Sequence, residues 1–148
     1  MKKYIISSLI CICSFFGTSL NAHAFAPKQL PIVQQSDHWK VMIKEPSEKK
    51  RAKAGVYDVF NFSVINTGAW AYNVTVDIFR DEPKTITNYG LFKMENEKVG
   101  RNSFHLDTYP VSVKANTIKV LVTWQDQPLS NEIKYSRKYM QEFTFKVQ

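Results

Sequence analysis

The chain has 148 residues, 44% of them apolar and 22% charged, with 20 basic against 13 acidic side chains and a formal net charge of +7. This is the size and balance of one globular domain, and it excludes disordered, collagen-like and linker compositions. Both cysteines, Cys11 and Cys13, sit in an N-terminal apolar run. The chain beyond that run therefore has no disulfide scaffold, no thiolate zinc site and no thiol chemistry.

Residues 1–24 read MKKYIISSLICICSFFGTSLNAHA and have the three parts of a secretory signal. Lys2 and Lys3 form the positive start, Ile5 to Leu20 the apolar centre, and Ala22-His23-Ala24 the small-residue cut site, with cleavage expected after Ala24. The apolar run is about 16 residues, short of the ~20 that span a bilayer. Cys11 and Cys13 follow isoleucines, which does not suit a lipoprotein cut. No second long apolar stretch follows, so the processed chain is expected to be soluble and without a transmembrane anchor. Its basic excess suits an anionic surface such as wall polymer phosphate or lipid, but at this modest value solubility alone is the favoured reading.

From residue 26 the sequence APKQLPIVQQS has two prolines and no period, and reads as an extended arm. Alternation starts at His38–Lys44, where Trp39, Val41 and Ile43 point one way, the pattern of a half-buried strand. Glu48 to Gly55 is a basic loop. In Val56–Ile65, residues Val56, Phe60, Phe62 and Val64 share a face, while Tyr57, Val59 and Ile65 add apolar groups opposite. Asn66-Thr67-Gly68 is a turn, since Asn and Gly tolerate positive φ. Trp70–Arg80 follows, with Trp70, Tyr72, Val74, Val76 and Ile78 assigned to one side. The two runs form a hairpin or a link between two sheets. Thr85–Phe92 reads as a short strand ending near Gly90, and Glu95–Gly100 as a charged turn. Ser103–Asp107 is a strand with Phe104 and Leu106 inward, broken by Pro110. In Thr117–Gln125, residues Ile118, Val120, Val122 and Trp124 alternate with Lys119, Leu121, Thr123 and Gln125. In Lys138–Val147, Tyr139, Phe143, Phe145 and Val147 share a face. There is no helix-length amphipathic segment and no βαβ spacing.

About seven short strands separated by turn signals predict an all-β antiparallel sandwich without a disulfide, with a jelly roll or small barrel as the structural alternative. The stretch VYDVFNFSVINTGAWAYNVTVDIFRD (56–81) resembles the strand–turn–strand core of secreted bacterial immunoglobulin-like and fibronectin III-like domains. The ends TIKVLVTWQDQ and YMQEFTFKV look like their closing strand pair. The resemblance covers the architecture of residues 38–148 and implies an immunoglobulin-like sandwich acting as a binding or spacer module, with no catalytic residues carried across. The expected organisation is a signal peptide at 1–24, an extended arm at 25–37 and the β-sandwich domain at 38–148.

The most suggestive constellation is Ser103, His105 and Asp107, which share a face if 103–107 is a strand. Residues two apart on a strand stand ~6.5–7 Å apart, a poor relay for a serine triad. His105 and Asp107 also form an HxD pair with His38 as a distant third ligand, too few for a zinc site. There is no Asp-rich calcium loop and no glycine-rich phosphate loop. Lys49, Lys50, Arg51 and Lys53 form the one dense basic cluster and are the candidate binding residues for phosphate-bearing polymer or lipid heads; the same residues also suit a solvated loop. Trp39, Trp70 and Trp124 are expected in the core.

The expected function is that of a small secreted, non-enzymatic binding or interaction module at the cell envelope or outside the cell. No cofactor, metal or nucleic acid is expected, and the partner is a protein or an anionic envelope polymer. The alternatives are a secreted hydrolase or metal-binding protein using His105 and Asp107, or an inhibitor or immunity-type protein.

Overall fold

The computed structural model describes residues 29–48, 52–101, 103–130 and 132–146. The expected leader, and Lys49, Lys50 and Arg51 of the basic cluster, lie outside the described residues. The described chain is all-β: β1 (Ile32–Gln35), β2 (Trp39–Lys44), β3 (Tyr57–Asn66), β4 (Ala71–Arg80), β5 (Tyr89–Val99), β6 (Ser103–Ser112), β7 (Thr117–Gln125) and β8 (Lys138–Lys146). They form two four-stranded antiparallel sheets, ordered β1-β2-β3-β6 and β5-β4-β7-β8. The Asn66–Gly68 turn is thus a link between sheets rather than a hairpin. The segment read as an extended arm contains β1, which pairs with β2 from Ile32↔Ile43 to Gln35↔Lys40.

The period-two pattern places the core between the sheets. Trp39, Val41 and Ile43 of β2, Phe62 and Val64 of β3, and Val74, Val76 and Ile78 of β4 are buried. They meet Ile118, Val120, Val122 and Trp124 of β7 and Phe143 and Phe145 of β8. Each such apolar side chain contributes about 1.5–3 kcal/mol by leaving water, so β2, β3, β4, β7 and β8 carry most of the core.

Polar bonds close the two long sides of the sandwich. Gln34 of β1 donates to the Thr144 carbonyl of β8 at 2.8 Å, and Ser36 donates to Gln141 at 2.8 Å. On the other side, the Tyr109 hydroxyl of β6 donates to the Leu91 carbonyl of β5, and its ring meets Phe92 edge-on at 5.8 Å. At one end, Asp81 accepts from the Asn116 and Thr117 amides at 3.0 and 2.6 Å, holding the chain after β4 against the start of β7.

Three expectations are corrected. Glu95–Gly100 is not a turn: β5 runs to Val99, an edge strand whose exposed polar residues hide its alternation. Pro110 does not end β6, because β6 is an edge strand and a missing N–H is tolerated there. Trp70 is not in the core. It is 58% exposed, and the cause is a β-bulge. Between Tyr72 and Thr75, β4 has one residue more than β7, and Asn73 sits there at φ 46°. The extra residue reverses the alternation. Ala71 is inward before it, and Val74, Val76 and Ile78 after it. Trp70 and Tyr72, which share parity with Val74 in the sequence, therefore face outward.

Candidate functional site

Of the basic cluster, Lys53 is the described member. It is exposed and forms a β-bridge to Tyr57 in the turn that enters β3, where Gly55 has φ 72°. The loop lies between the end of β2 and the start of β3, at the end of the sandwich away from the β3–β4 crossing.

Ser103, His105 and Asp107 do share the outer face of edge strand β6, and all three are exposed. The Ser103 hydroxyl contacts His105 Nε2. The other ring nitrogen, Nδ1, is held at 3.0 Å by the hydroxyl of Ser63 on β3, the cross-strand partner of His105. Asp107 is not behind the imidazole and makes no hydrogen bond or ion pair among the described residues. Ser63, which sequence reasoning missed, occupies the orienting position; only the β3–β6 register could have revealed it. Ser63 is 4% exposed, so it supports the imidazole and is not open to a substrate. His38 does not join this group: its ring stacks on Trp124 at 5.7 Å and lies against Gly68. Among the described residues, no three His, Cys, Asp or Glu converge on a metal position.

The end of the sandwich at the β3–β4 crossing is different. Trp124 is stacked between His38 and Tyr139, 5.7 and 5.4 Å away, with Trp39 edge-on at 5.7 Å. This aromatic column closes the end of the core. Beside it the chain leaves β3 through Asn66, which is 1% exposed. All its polar atoms are used: Nδ2 donates to the Ala69 and Val99 carbonyls at 2.7 and 3.2 Å, and Oδ1 accepts from the Gly68 amide at 2.9 Å. Ala69 and Val99 immediately precede Trp70 and Gly100. One buried amide thus fixes the two chain segments that meet at Trp70.

Trp70 lies against Gly100. A Cβ at Gly100 would come within 2.8 Å of Trp70 Cη2 and Cζ3, so the ring rests where only a glycine leaves room. The Lys98 ammonium stands 4.5 Å from the Trp70 ring centre and 5.8 Å from that of Tyr72. Gly68, Ala69, Trp70, Gly100 and Arg101 line an open hollow of about 410 Å³. Neither Lys98 nor Arg101 has an ion-pair partner among the described residues. The nearby Glu95 is taken by Lys93, at 2.6 Å. That hydrogen bond, with the Glu95 charge adding to it, holds the Lys93 ammonium above its ordinary pKa. The site therefore offers an exposed indole, two cations without an ion-pair partner among the described residues, and a wall of small residues that permits close approach.

The fold and sequence together define a class: an all-β protein with no cysteine among its described residues and a sequence that predicts export. Residues 23–148 match the family of YozF-like secreted proteins, and the chain belongs to that family. It is 28% identical over 143 residues to YozF of Bacillus subtilis (strain 168), covering 84% of this chain and 87% of the relative. No solved structure matches the chain. The protein is secreted, as the sequence of residues 1–24 predicts. Among the described residues, no helix is long and apolar enough to cross a membrane.

Proposed function

We propose that this secreted sandwich is a non-enzymatic binding module that works at the cell envelope or outside the cell. It needs no cofactor and engages a protein or an anionic envelope polymer, not nucleic acid. The observation that carries the reading is Trp70. An exposed tryptophan held by Gly100, Asn66 and Lys98 buries little and contributes little to the core, whereas rigid aromatic anchors flanked by cations are what binding surfaces use. The strand order supports a module of the immunoglobulin-like kind: β2-β3-β6 faces β5-β4-β7-β8, with β1 added outside β2. The side seals at Gln34 and Tyr109 occupy edge carbonyls and favour recognition by the end of the sandwich over strand addition. The basic loop of Lys49, Lys50, Arg51 and Lys53 adds long-range attraction toward an anionic surface.

The test is retention of the purified protein on the envelope fraction of its own cells. Trp70→Ala should remove most of the retention while the circular dichroism spectrum is unchanged. Equal retention of the variant would refute Trp70 as the anchor.

A second reading has its own observation, the Ser63–His105–Ser103 hydrogen-bond chain, in which Ser103 is exposed and His105 is oriented. It would make the protein a hydrolase with Ser103 as nucleophile. It has no acid behind the histidine, and the hollow described above lies around Trp70. Ester hydrolysis by the wild type that disappears in both Ser103→Ala and His105→Ala would establish it in place of the binding reading.

A further inference from the structure

Resting on the Trp70 reading, we propose that the hollow between the β3–β4 crossing and the end of β5 binds a saccharide ring that carries an adjacent anionic group, a phosphate or a carboxylate.

Each wall selects part of that chemistry. Trp70 presents a flat indole, 58% exposed, and the C–H face of a pyranose stacks on such a surface. The ring is positioned before the ligand arrives, its outer atoms packed at Gly100 and the Lys98 ammonium over it at 4.5 Å, so little side-chain freedom is lost when a sugar stacks on the indole surface left exposed. Arg101 lines the hollow and the Lys98 ammonium stands over the Trp70 ring beside it, so the site brings two positive charges that no described carboxylate neutralises. Arg presents a planar fork suited to phosphate or carboxylate, and Lys acts as a compact point charge. The remaining walls, Gly68, Ala69 and Gly100, have almost no side chain. A sugar with projecting hydroxyls is admitted close to the backbone, while an apolar peptide side chain would find no aliphatic pocket to fill.

The volume supports a small repeating unit. About 410 Å³ lies in the lower half of the range of small-molecule sites. That is room for one or two rings of a polymer whose remainder runs on past the open mouth. No acidic residue lines the hollow, so a bound metal ion has no ligands there. Another hollow among the described residues, at the β4 bulge, is lined by Asn73, Val74, Thr75, Glu95, Asn96 and Glu97. Its two carboxylates would repel an anionic polymer. The anionic end of the ligand therefore lies toward Lys98 and Arg101.

The experiment is a titration of the ¹⁵N-labelled secreted form with glucose 6-phosphate, glucuronic acid, glucose and inorganic phosphate, followed by NMR. Glucose 6-phosphate and glucuronic acid should move the Trp70 indole N–H and the Gly68, Ala69 and Gly100 amides, with at least tenfold higher affinity than glucose or phosphate. Which of the two binds better identifies the anionic group. Trp70→Ala should lower affinity at least tenfold, with Trp70→Phe recovering part of it. Lys98→Gln with Arg101→Gln should bring the charged sugars down to the affinity of glucose. Phosphate binding as tightly as its sugar ester would overturn the aromatic half of the proposal, and glucose binding equally well would overturn the cationic half. If Trp70→Ala abolishes envelope retention while none of the four probes shifts these signals, this ligand class is wrong and the binding reading survives. If retention ignores Trp70 as well, both fall.

Discussion

Substituting Gly100 by Ala perturbs the site with one carbon atom. The new Cβ would stand 2.8 Å from Trp70 Cη2 and Cζ3 and 3.2 Å from Cε3. Carbon atoms in good contact lie about 3.5–4.0 Å apart, so the ring must retreat by roughly 1 Å. The obstacle is the outer part of an exposed side chain rather than backbone, so the ring can swing away and the fold survives. Gly100 does not have positive φ, and alanine there restricts the unfolded chain, worth about 0.4–1 kcal/mol in favour of folding. That gain offsets the lost ring contact, and the net change in stability should stay within about 1 kcal/mol. Binding responds differently, because the indole no longer stands where Lys98 and Arg101 complement it. We expect at least a tenfold loss of affinity, which is about 1.4 kcal/mol. The assay pairs a denaturant titration with envelope retention of the same preparation. Unchanged retention with unchanged stability would refute the argument that ring placement matters. A large loss of stability would show that Gly100 serves the fold instead.

Asn66→Ala removes three hydrogen bonds in a buried setting and should cost about 3 kcal/mol, read as a lower urea midpoint at constant m-value. Asn66→Asp should also destabilise, because a carboxylate cannot donate to the Ala69 and Val99 carbonyls. His105→Ala should leave envelope retention unchanged and cost roughly 1–2 kcal/mol, since buried Ser63 loses its partner; loss of retention would move the functional site to β6. Replacing Lys49, Lys50, Arg51 and Lys53 together by Gln should weaken retention at low salt and converge with the wild type as salt rises. A salt-independent loss would mean that the basic loop makes direct contacts.

Much of the fold was legible because burial writes itself into every second residue. Trp39-Val41-Ile43 and Ile118-Val120-Val122-Trp124 are inward as the alternation requires. The pattern fails where the physics producing it changes. On β5, an edge strand facing water, Lys93, Glu95 and Glu97 meet no pressure to alternate with apolar groups, so the sequence of a strand there looks like a charged turn. At Pro110 the usual breaker rule assumes a strand with neighbours on both sides, which β6 lacks. At Asn73 one residue in the left-handed region shifts the phase. A strictly periodic reading carries Trp70 and Tyr72 into the core with Val74, and so hides the residue on which the site depends. Asn tolerates that conformation, so Asn73 was the available signal, masked by the apolar alternation on both sides. The partnership of Ser63 with His105 depends on register between strands separated by 42 positions in sequence, which local patterning does not encode. The closeness of Trp70 to Gly100 depends on the β4–β5 pairing in the same way.

The most direct measurement compares the three tryptophan indole N–H signals of the ¹⁵N-labelled protein as soluble fragments of its own envelope material are added. The account predicts that Trp70 shifts or broadens while buried Trp39 and Trp124 hold still, and that the Gly68, Ala69 and Gly100 amides move with Trp70. Shifts confined to the Lys53 loop at the far end of the sandwich, with the Trp70 signal unmoved, would contradict it.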